Sequence, residues 1–427
     1  MPAVATWLKL DNAAKIYPPN TTRRWQSMFR LSVTLTEDVD PDLLAQAQER
    51  TLARMPSFAC RLRWGAFWYY LEHLEGAPPI CEDTANPMLP LNTRENRGFM
   101  YRLLYWHERI AVEFFHAACD GTGGMTFLLT LVNEYLRLAH GVDVSPARFI
   151  LSMDDEPSPE EQEDAFQRYA GTVPNNRKEE RAYHVHGSRV PGGRIILTCG
   201  TVPTDPLRAK AKEYGVTMGV FLNGLLLWSI HQHQLAERSK HRRTQPVKIC
   251  VPINLRALFP SKTLRNFSAF FNPGIDSRLG EYSFQEILTQ LTHYMGQHVN
   301  DKELASWMAY NVGAERNPLV RITPLFVKKL ALMIAFRMQG DEYSSTTLSN
   351  LGLVQLPPEM ANFVDRIDFF LGRANKRRCN ATATSFGGRT FIDFSRTFVE
   401  ADIERRFFSE LVRMGIPVQV ESNQEVN

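Results

Sequence analysis

A histidine followed four residues later by an aspartate is the part of this sequence best suited to chemistry. The segment reads Phe-Phe-His-Ala-Ala-Cys-Asp-Gly and contains His116, Asp120 and Gly121. A neutral imidazole has a pKa near 6.5, so His116 can take a proton from an alcohol, a thiol or an amine at neutral pH. A general base of this kind typically contributes about 10²–10⁴ in rate. The pattern predicts a site of proton transfer at His116.

The residues on either side of His116 predict the elements that position it. Apolar residues alternate over positions 110–115, the pattern of a strand, and His116 continues the face to which Phe114 belongs. Thr-Gly-Gly at 122–124 follows, and an amphipathic helix is expected after it, because apolar residues recur at helical spacing over 127–138. The ring is therefore expected at a strand end, beside the N–H groups of a helix start.

The remaining pattern predicts two related halves. The clearest elements are a strand at 28–35, a helix that Asp40 caps, a strand at 193–199, a helix from Asp205 to Gly215, a helix that Thr217 caps and a strand at 247–251. Residues 389–415 repeat the order strand, break, helix, with Ser395-Arg396 where the first half has His116. We expect a first half at 1–150, a solvated, acidic and proline-containing crossover at 151–182, and a second half at 183–427.

Composition indicates an ordinary globular chain. The 427 residues are 44% hydrophobic and 22% charged, and the net charge is only +3, which gives no support for nucleic acid or a membrane surface as the main partner. The six cysteines form no CxxC pair and are expected to be reduced thiols of a cytoplasmic protein. No signal peptide is expected, and the longest apolar segments, at 225–230 and 330–336, are too short to span a membrane.

The order His-x-x-x-Asp-Gly resembles the acyltransferases related to chloramphenicol acetyltransferase. That superfamily includes peptide-synthetase condensation domains, the plant BAHD enzymes and bacterial alcohol acetyltransferases, and the last group is the closest in style. A second histidine common before the first is replaced by Phe115, and the Asp-Phe-Gly-Trp-Gly motif of the plant branch is absent. The resemblance implies an α/β fold with two chloramphenicol-acetyltransferase-like subdomains, mixed sheets with helices, forming a V-shaped pseudo-dimer around a central channel.

Three further segments resemble parts of the same superfamily. Asn254-Leu255-Arg256 resembles the segment whose arginine pairs with the motif aspartate, so Asp120 is expected to point away from His116 and to hold the loop through Arg256. Leu264–Phe267, which contains Asn266, resembles a segment lining the cleft. Ser349-Asn350-Leu351-Gly352 resembles a strand that faces the histidine, and either Ser349 or Asn350 could donate to a tetrahedral oxyanion.

The resemblance implies transfer of an acyl group, most simply acetyl, from a CoA thioester to a small alcohol acceptor. His116 would deprotonate the acceptor, and no covalent acyl-enzyme would form. No bound cofactor is expected; acyl-CoA or a phosphopantetheine thioester would be a co-substrate.

Other interpretations stay open at the level of sequence. A condensation-type enzyme would use an acyl carrier protein, which could dock on the basic residues of 238–243 or 376–378, and a catalytically silent member would only bind a ligand or partner. A metal held by His116 and Asp120 is disfavoured, because the strand and the glycines argue against one shared helix face and no third ligand lies nearby. Cys119 is expected to be a small buried thiol and not a nucleophile.

Overall fold

The computed structural model describes residues 6–22, 25–142, 144–174, 179–339, 341–374 and 376–424. Its strands are β1 (Trp7–Lys9), β2 (Met28–Leu35), β3 (Cys60–Trp64), β4 (Tyr69–His73), β5 (Ile80–Glu82), β6 (Tyr101–Trp106), β7 (Arg109–Phe115), β8 (Ile196–Pro203), β9 (Val247–Asn254), β10 (Ser268–Phe271), β11 (Gly274–Ile275), β12 (Thr346–Leu353), β13 (Val364–Leu371), β14 (Cys379–Phe386), β15 (Arg389–Arg396) and β16 (Gln419–Ser422).

Its helices are α1 (Tyr17–Asn20), α2 (Pro41–Arg54), α3 (Gly121–His140), α4 (Ala165–Tyr169), α5 (Thr204–Glu213), α6 (Met218–Leu235), α7 (Lys240–Arg243), α8 (Phe284–His298), α9 (Asp301–Arg316), α10 (Pro318–Ile322), α11 (Leu325–Gln339), α12 (Pro358–Ala361) and α13 (Asp402–Arg413). None of these helices, over the ranges described, combines the length and apolar character needed to cross a bilayer.

The first half is built on a mixed sheet with the strand order β13-β2-β7-β6-β5. Pairing is antiparallel throughout except between β5 and β6. Helices α2 and α3 pack together, and α3 packs on β2 and β7. The apolar side chains of the two helices and of the sheet form one hydrophobic core. The predicted strand at 28–35 is confirmed as β2, and Asp40 caps α2 by accepting from two N–H groups of its first turn.

The second half is built on a larger sheet with the order β10-β9-β12-β14-β15-β8-β16, and β11 also pairs with β9. Strand β12 runs parallel to both of its neighbours, while the other pairs are antiparallel. Helices α5, α6 and α13 contribute, with strands of this sheet, to a second hydrophobic core. The mixed α/β architecture expected from the resemblance is thus present, with a separate small sheet of order β1-β4-β3.

One strand crosses between the halves. β13 comes from the second half of the sequence, yet it pairs antiparallel with β2 over Val364–Leu371 and so extends the first sheet. It also packs against β14 and β15, and Phe369 N–H donates to Asp393 Oδ2 at 3.2 Å. The first sheet therefore contains a strand from the second half of the sequence, which a division of the chain at residues 150 and 183 does not capture; those boundaries stay a prediction.

The crossover is less solvated than its charge predicted. Arg54 donates two hydrogen bonds to the Glu161 carboxylate at 2.8 and 2.9 Å, and both side chains are buried. Phe166 is fully buried against Phe267, with ring centroids 5.5 Å apart. Glu161 and Phe166 therefore anchor the crossover, because an arginine neutralises the acid and the aromatic ring is packed, while Asp154, Asp155, Glu156 and Glu160 are exposed. Residues 175–178 of the crossover lie outside the described ranges.

The second half repeats the strand and helix of the motif without its chemistry. β15 and α13 occupy the predicted positions, but Arg396 is buried and forms an ion pair with Glu404 on α13. Arg396 also donates to Thr198 Oγ1 at 3.0 Å, and Ser395 donates to Leu371 O at 2.6 Å. Both polar side chains thus serve internal bonds.

Candidate functional site

His116 lies in a short turn between β7 and α3. Its backbone N–H donates to Ser27 O at 2.8 Å, which ties the turn to the start of β2. The ring stacks on Tyr17 with centroids 4.6 Å apart, and Phe29 presents an edge at 5.2 Å. Burial among these groups lowers the pKa of His116, while Asp120, Asn266 and Asp11 oppose that shift. The imidazole is therefore neutral at pH 7.

Asn266 fixes which ring nitrogen carries the proton. Its Oδ1 lies 3.1 Å from His116 Nδ1, and its Nδ2 donates to Asp11 Oδ2 at 3.4 Å. Asp11 is fully buried and receives only donors, since Ala14 N–H donates to its Oδ1 at 2.8 Å and Arg265 lies 3.5 Å from its Oδ2. The amide must turn its NH₂ towards Asp11 and its oxygen towards the ring. Nδ1 then holds the proton and Nε2 holds the lone pair.

Asp120 points away from His116 and caps α3. Its Oδ1 accepts from Gly123 N–H at 2.9 Å, and its Oδ2 accepts from Arg256 Nη1 at 2.7 Å and Phe267 N–H at 2.8 Å. The helix begins at Gly121, four residues before the start that was expected after Gly124, because this carboxylate supplies the cap. The structure thus brings Asp120 and Arg256 together, both nearly buried.

Arg256 holds the segment that contains Asn266. Its guanidinium donates to Thr263 O at 2.8 Å and to Arg265 O at 2.7 Å, in addition to the bond with Asp120. A planar group with several fixed donors can join three chain segments in this way. The segment of the second half that contains Asn266 is therefore fixed to the His116–Gly121 motif of the first half.

The glycines of the motif allow this close approach. A Cβ on Gly123 would lie 1.9 Å from Leu264 O, and one on Gly124 would lie 2.9 Å from the Phe29 ring. At Gly121 a Cβ would lie 3.3 Å from Leu351 Cδ2 of β12. The first turn of α3 is glycine-rich because the Leu264 backbone of the second half and the Phe29 side chain of the first half both pack directly on it.

Ser349 and Asn350 lie on opposite faces of β12. Ser349 pairs with Thr382, whose hydroxyl donates to Phe369 O of β13, so this face looks towards β13. Asn350 lies on the other face and lines a cavity of about 160 Å³ at the N-terminal end of α6, next to Thr217 and Gly219. Of the two candidates, only Ser349 faces the junction where the motif lies.

Cys119 is fully buried, and burial raises the pKa of its thiol well above the ordinary value. The thiol stays protonated at neutral pH, which is the wrong state for a nucleophile. Within the described ranges, no three His, Cys, Asp or Glu side chains are grouped as metal ligands.

Sequence reasoning missed two residues of the site, Asp11 and Tyr17. Both lie in the proline- and asparagine-containing opening segment, more than 95 residues before His116. No local periodicity or motif marks them, since their partners are set by tertiary packing. The one signal is Pro18-Pro19, which fixes the short helix that begins at Tyr17.

No protein-family model matches the sequence, and no curated protein matches it in a sequence search. Comparison with solved structures does give matches along nearly the whole chain. TRI101 of F. graminearum, solved with coenzyme A and deoxynivalenol, matches with a TM-score of 0.65 at 10% identity, covering 98% of this chain and 100% of that one.

Two further structures widen the comparison. TRI3 trichothecene 15-O-acetyltransferase from Fusarium sporotrichioides matches with a TM-score of 0.59 at 11% identity over 97% of both chains. The first condensation domain of the CDA synthetase matches with a TM-score of 0.57 at 14% identity, again over 97% of both chains. At such low identity the likeness concerns the fold. The chain has the two-subdomain fold of the chloramphenicol-acetyltransferase-like and condensation-domain acyltransferases.

Proposed function

We propose that this chain is an acyltransferase that moves an acyl group, in the simplest case acetyl, from a coenzyme A thioester to the hydroxyl of a small alcohol. The observation that carries the proposal is the fixed tautomer of His116. Asn266 holds the proton on Nδ1, so Nε2 has the lone pair that a general base needs. The fold supports the proposal, since TRI101 was solved with coenzyme A and TRI3 is an acetyltransferase.

The reaction needs one proton to move twice. His116 Nε2 takes the proton of the acceptor hydroxyl as the oxygen attacks the thioester carbonyl carbon, and a tetrahedral oxyanion forms. When the intermediate collapses, the C–S bond breaks and the imidazolium gives the proton to the leaving thiolate. The ester and free coenzyme A result, and His116 returns to its neutral form.

Ser349 is the proposed donor to the oxyanion. It lies on the face of β12 that looks towards β13, and Leu351 of the same strand contacts the first turn of α3. A hydroxyl donor aimed at a developing oxyanion stabilises the transition state more than the ground state. Asn350 faces the other way and is not assigned a role in this step.

Coenzyme A is preferred to a carrier protein as donor because three cations of the two basic clusters already have carboxylate partners. In the cluster at 376–378, Arg377 pairs with Asp341 at 2.8 Å and Lys376 pairs with Glu342. In the cluster at 238–243, Arg242 pairs with Glu237 at 2.5 Å. Cations that already have carboxylate partners offer less attraction to an acidic carrier.

The test is thiol release from acetyl-CoA in the presence of a panel of primary alcohols. We expect turnover by the wild-type protein and loss of about 10²–10⁴ in rate for His116→Ala, with an unchanged thermal unfolding midpoint. Cys119→Ala is the matched control and should retain most of the activity.

Mass spectrometry distinguishes direct transfer from a covalent route. Protein mixed with acetyl-CoA and no acceptor should show no stable acyl adduct, because His116 activates the acceptor and not a protein nucleophile. An acyl group on Cys119, together with loss of activity in Cys119→Ala, would replace the proposed mechanism by a ping-pong one. Wild-type turnover by His116→Ala would overturn the assignment of the base.

A further inference from the structure

The consecutive helices α10 and α11 carry an exposed apolar stripe. Phe326, Val327, Leu330 and Ile334 on α11 follow the spacing i, i+1, i+4, i+8, which places them along one side of the helix. The exposed fractions of Phe326 and Leu330 are 76% and 62%. On α10, Leu319 and Ile322 are about as exposed, at 72% and 68%. An exposed set of large apolar side chains of this size indicates an interaction surface.

The opposite side of α11 is anchored to the first half. Leu325 is buried and its N–H donates to Ala66 O at 2.9 Å. Lys328 is buried too, donates to Phe67 O at 3.0 Å and lies 3.7 Å from the ring centroid of Trp68. The exposed stripe is therefore the outer side of a helix whose inner side is already packed.

Aromatic residues and cations border the stripe. Phe67 and Trp64 have exposed fractions of 47% and 61%, and Lys329 Nζ lies 4.9 Å from the Trp64 ring centroid. Residues 317–334 contain no acidic residue, and their cations besides the buried Lys328 are Arg321 and Lys329. Among the residues that the structure describes, no carboxylate lies within ion-pair distance of Arg321 or Lys329. Apolar, aromatic and cationic side chains without carboxylates are the composition of helices that bind anionic lipid surfaces.

The stripe adjoins the cover of the proposed active site. Helix α11 packs against α1, and Tyr17 at the start of α1 stacks on His116. If the stripe bound an apolar phase, that phase would lie close to α1, the segment that covers His116.

We propose that the outer face of α10 and α11, with Trp64 and Phe67, docks this protein on an anionic lipid surface. A lipid surface fits better than a second copy, because a two-fold contact would bring the cations of this face towards their own copies. It also fits better than an acidic protein, because large apolar side chains outnumber the cations. The acceptor would then be an apolar alcohol drawn from this lipid surface. This second step rests on the proposed function as well as on the docking.

The test is flotation of the purified full chain with phosphatidylcholine vesicles, with and without phosphatidylglycerol. We expect binding to the anionic vesicles, and a loss of at least about tenfold in the bound-to-free ratio for Phe326→Ser with Leu330→Ser. The matched control is Leu279→Ser with Val420→Ser, two exposed apolar residues of the second half, which should bind as the wild type does.

Two further measurements make the outcome decisive. Turnover of a short water-soluble alcohol should be the same in both double variants, so loss of vesicle binding with intact turnover separates docking from catalysis. Light scattering should give the same mass for wild type and for both double variants. Equal flotation of all three proteins overturns the proposal. It is also overturned if the wild type is a dimer and only the Phe326/Leu330 variant is a monomer. Binding of an acidic carrier protein without binding of vesicles overturns it too.

Discussion

The protonation state of His116 depends on side chains that are distant in sequence. Asp11 fixes the orientation of the Asn266 amide, and Asn266 fixes the tautomer of His116. A general base works only when its lone pair faces the substrate, so Asp11 and Asn266 are expected to affect the rate without touching the reacting atoms.

We expect Asp11→Asn to lower kcat and to change KM little. An asparagine at position 11 can present its own NH₂ to Asn266, which would turn the Asn266 amide and lose the tautomer. The loss should be at least about tenfold and at most the 10²–10⁴ of the base itself. Steady-state kinetics measure it, with Asp276→Asn, a carboxylate near the surface of the second half, as control. An unchanged kcat for Asp11→Asn would show that Asp11 does not position the base.

The pH dependence of the reaction should report the burial of His116. Burial lowers the pKa of the ring, so the neutral base persists below pH 6.5 and activity is lost as the pH falls through this lowered pKa. The acid limb of kcat/KM against pH belongs to the free enzyme and should have its midpoint below 6.5. A midpoint at or above 6.5 would contradict the environment described for this ring.

At the residue scale the sequence was informative only where a motif exists. His116, Asp120 and Arg256 lie in recognisable segments, and the structure places the last two in contact. The pairs of Asn266 with His116 and with Asp11 are 150 and 255 residues apart. Such contacts depend on how the halves pack, which no local spacing encodes.

At the element scale, Gly123 tests how tightly the halves approach. In Gly123→Ala the new methyl group would meet Leu264 O at 1.9 Å, and backbone on both sides would have to shift. We expect a loss of about 1–3 kcal/mol in the free energy of unfolding, with a fall in activity because Asn266 moves with Leu264. Urea denaturation and turnover of the variant measure both effects.

Gly313 provides the control for this substitution. It lies in α9, and a Cβ there meets nothing within 4 Å. Gly313→Ala should stabilise the protein by about 0.5–1 kcal/mol through helix propensity and leave turnover unchanged. Equal stability changes in the two variants would mean that the contact with Leu264 is not close.

Elements with a strong period were predictable, and their ends were less so. β2 and α2 follow from alternation and from the Asp40–Pro41 start. The start of α3 was expected after Gly124, since three nearby glycines normally disfavour a helix. The structure begins it at Gly121, because Asp120 supplies the cap; the glycines stand in this turn because Leu264 and Phe29 leave no room for a Cβ at positions 123 and 124.

At the scale of the whole molecule, Asp120 and Arg256 connect the halves through a nearly buried ion pair. Asp120→Ala should cost about 3–5 kcal/mol in the free energy of unfolding, because the guanidinium and two N–H groups lose their acceptor. Arg256→Ala should cost a similar amount.

The double variant should cost less than the sum of the single changes, since the second substitution removes a group that the first left unpaired. A double-mutant cycle in urea measures the coupling, expected at about 0.5–3 kcal/mol. If the free-energy changes of the two single variants simply add up in the double variant, Asp120 and Arg256 do not stabilise the protein through their mutual contact.

The order in which the chain is synthesised gives β13 a further significance. Until residues 364–371 leave the ribosome, β2 has no partner on one side, and the nascent first half exposes an unpaired strand edge. Such an edge invites pairing with other chains, so the early polypeptide is at risk of aggregation during most of translation. We therefore expect the first sheet to be completed only after the last quarter of the chain has been synthesised, although most of its other strands are made much earlier.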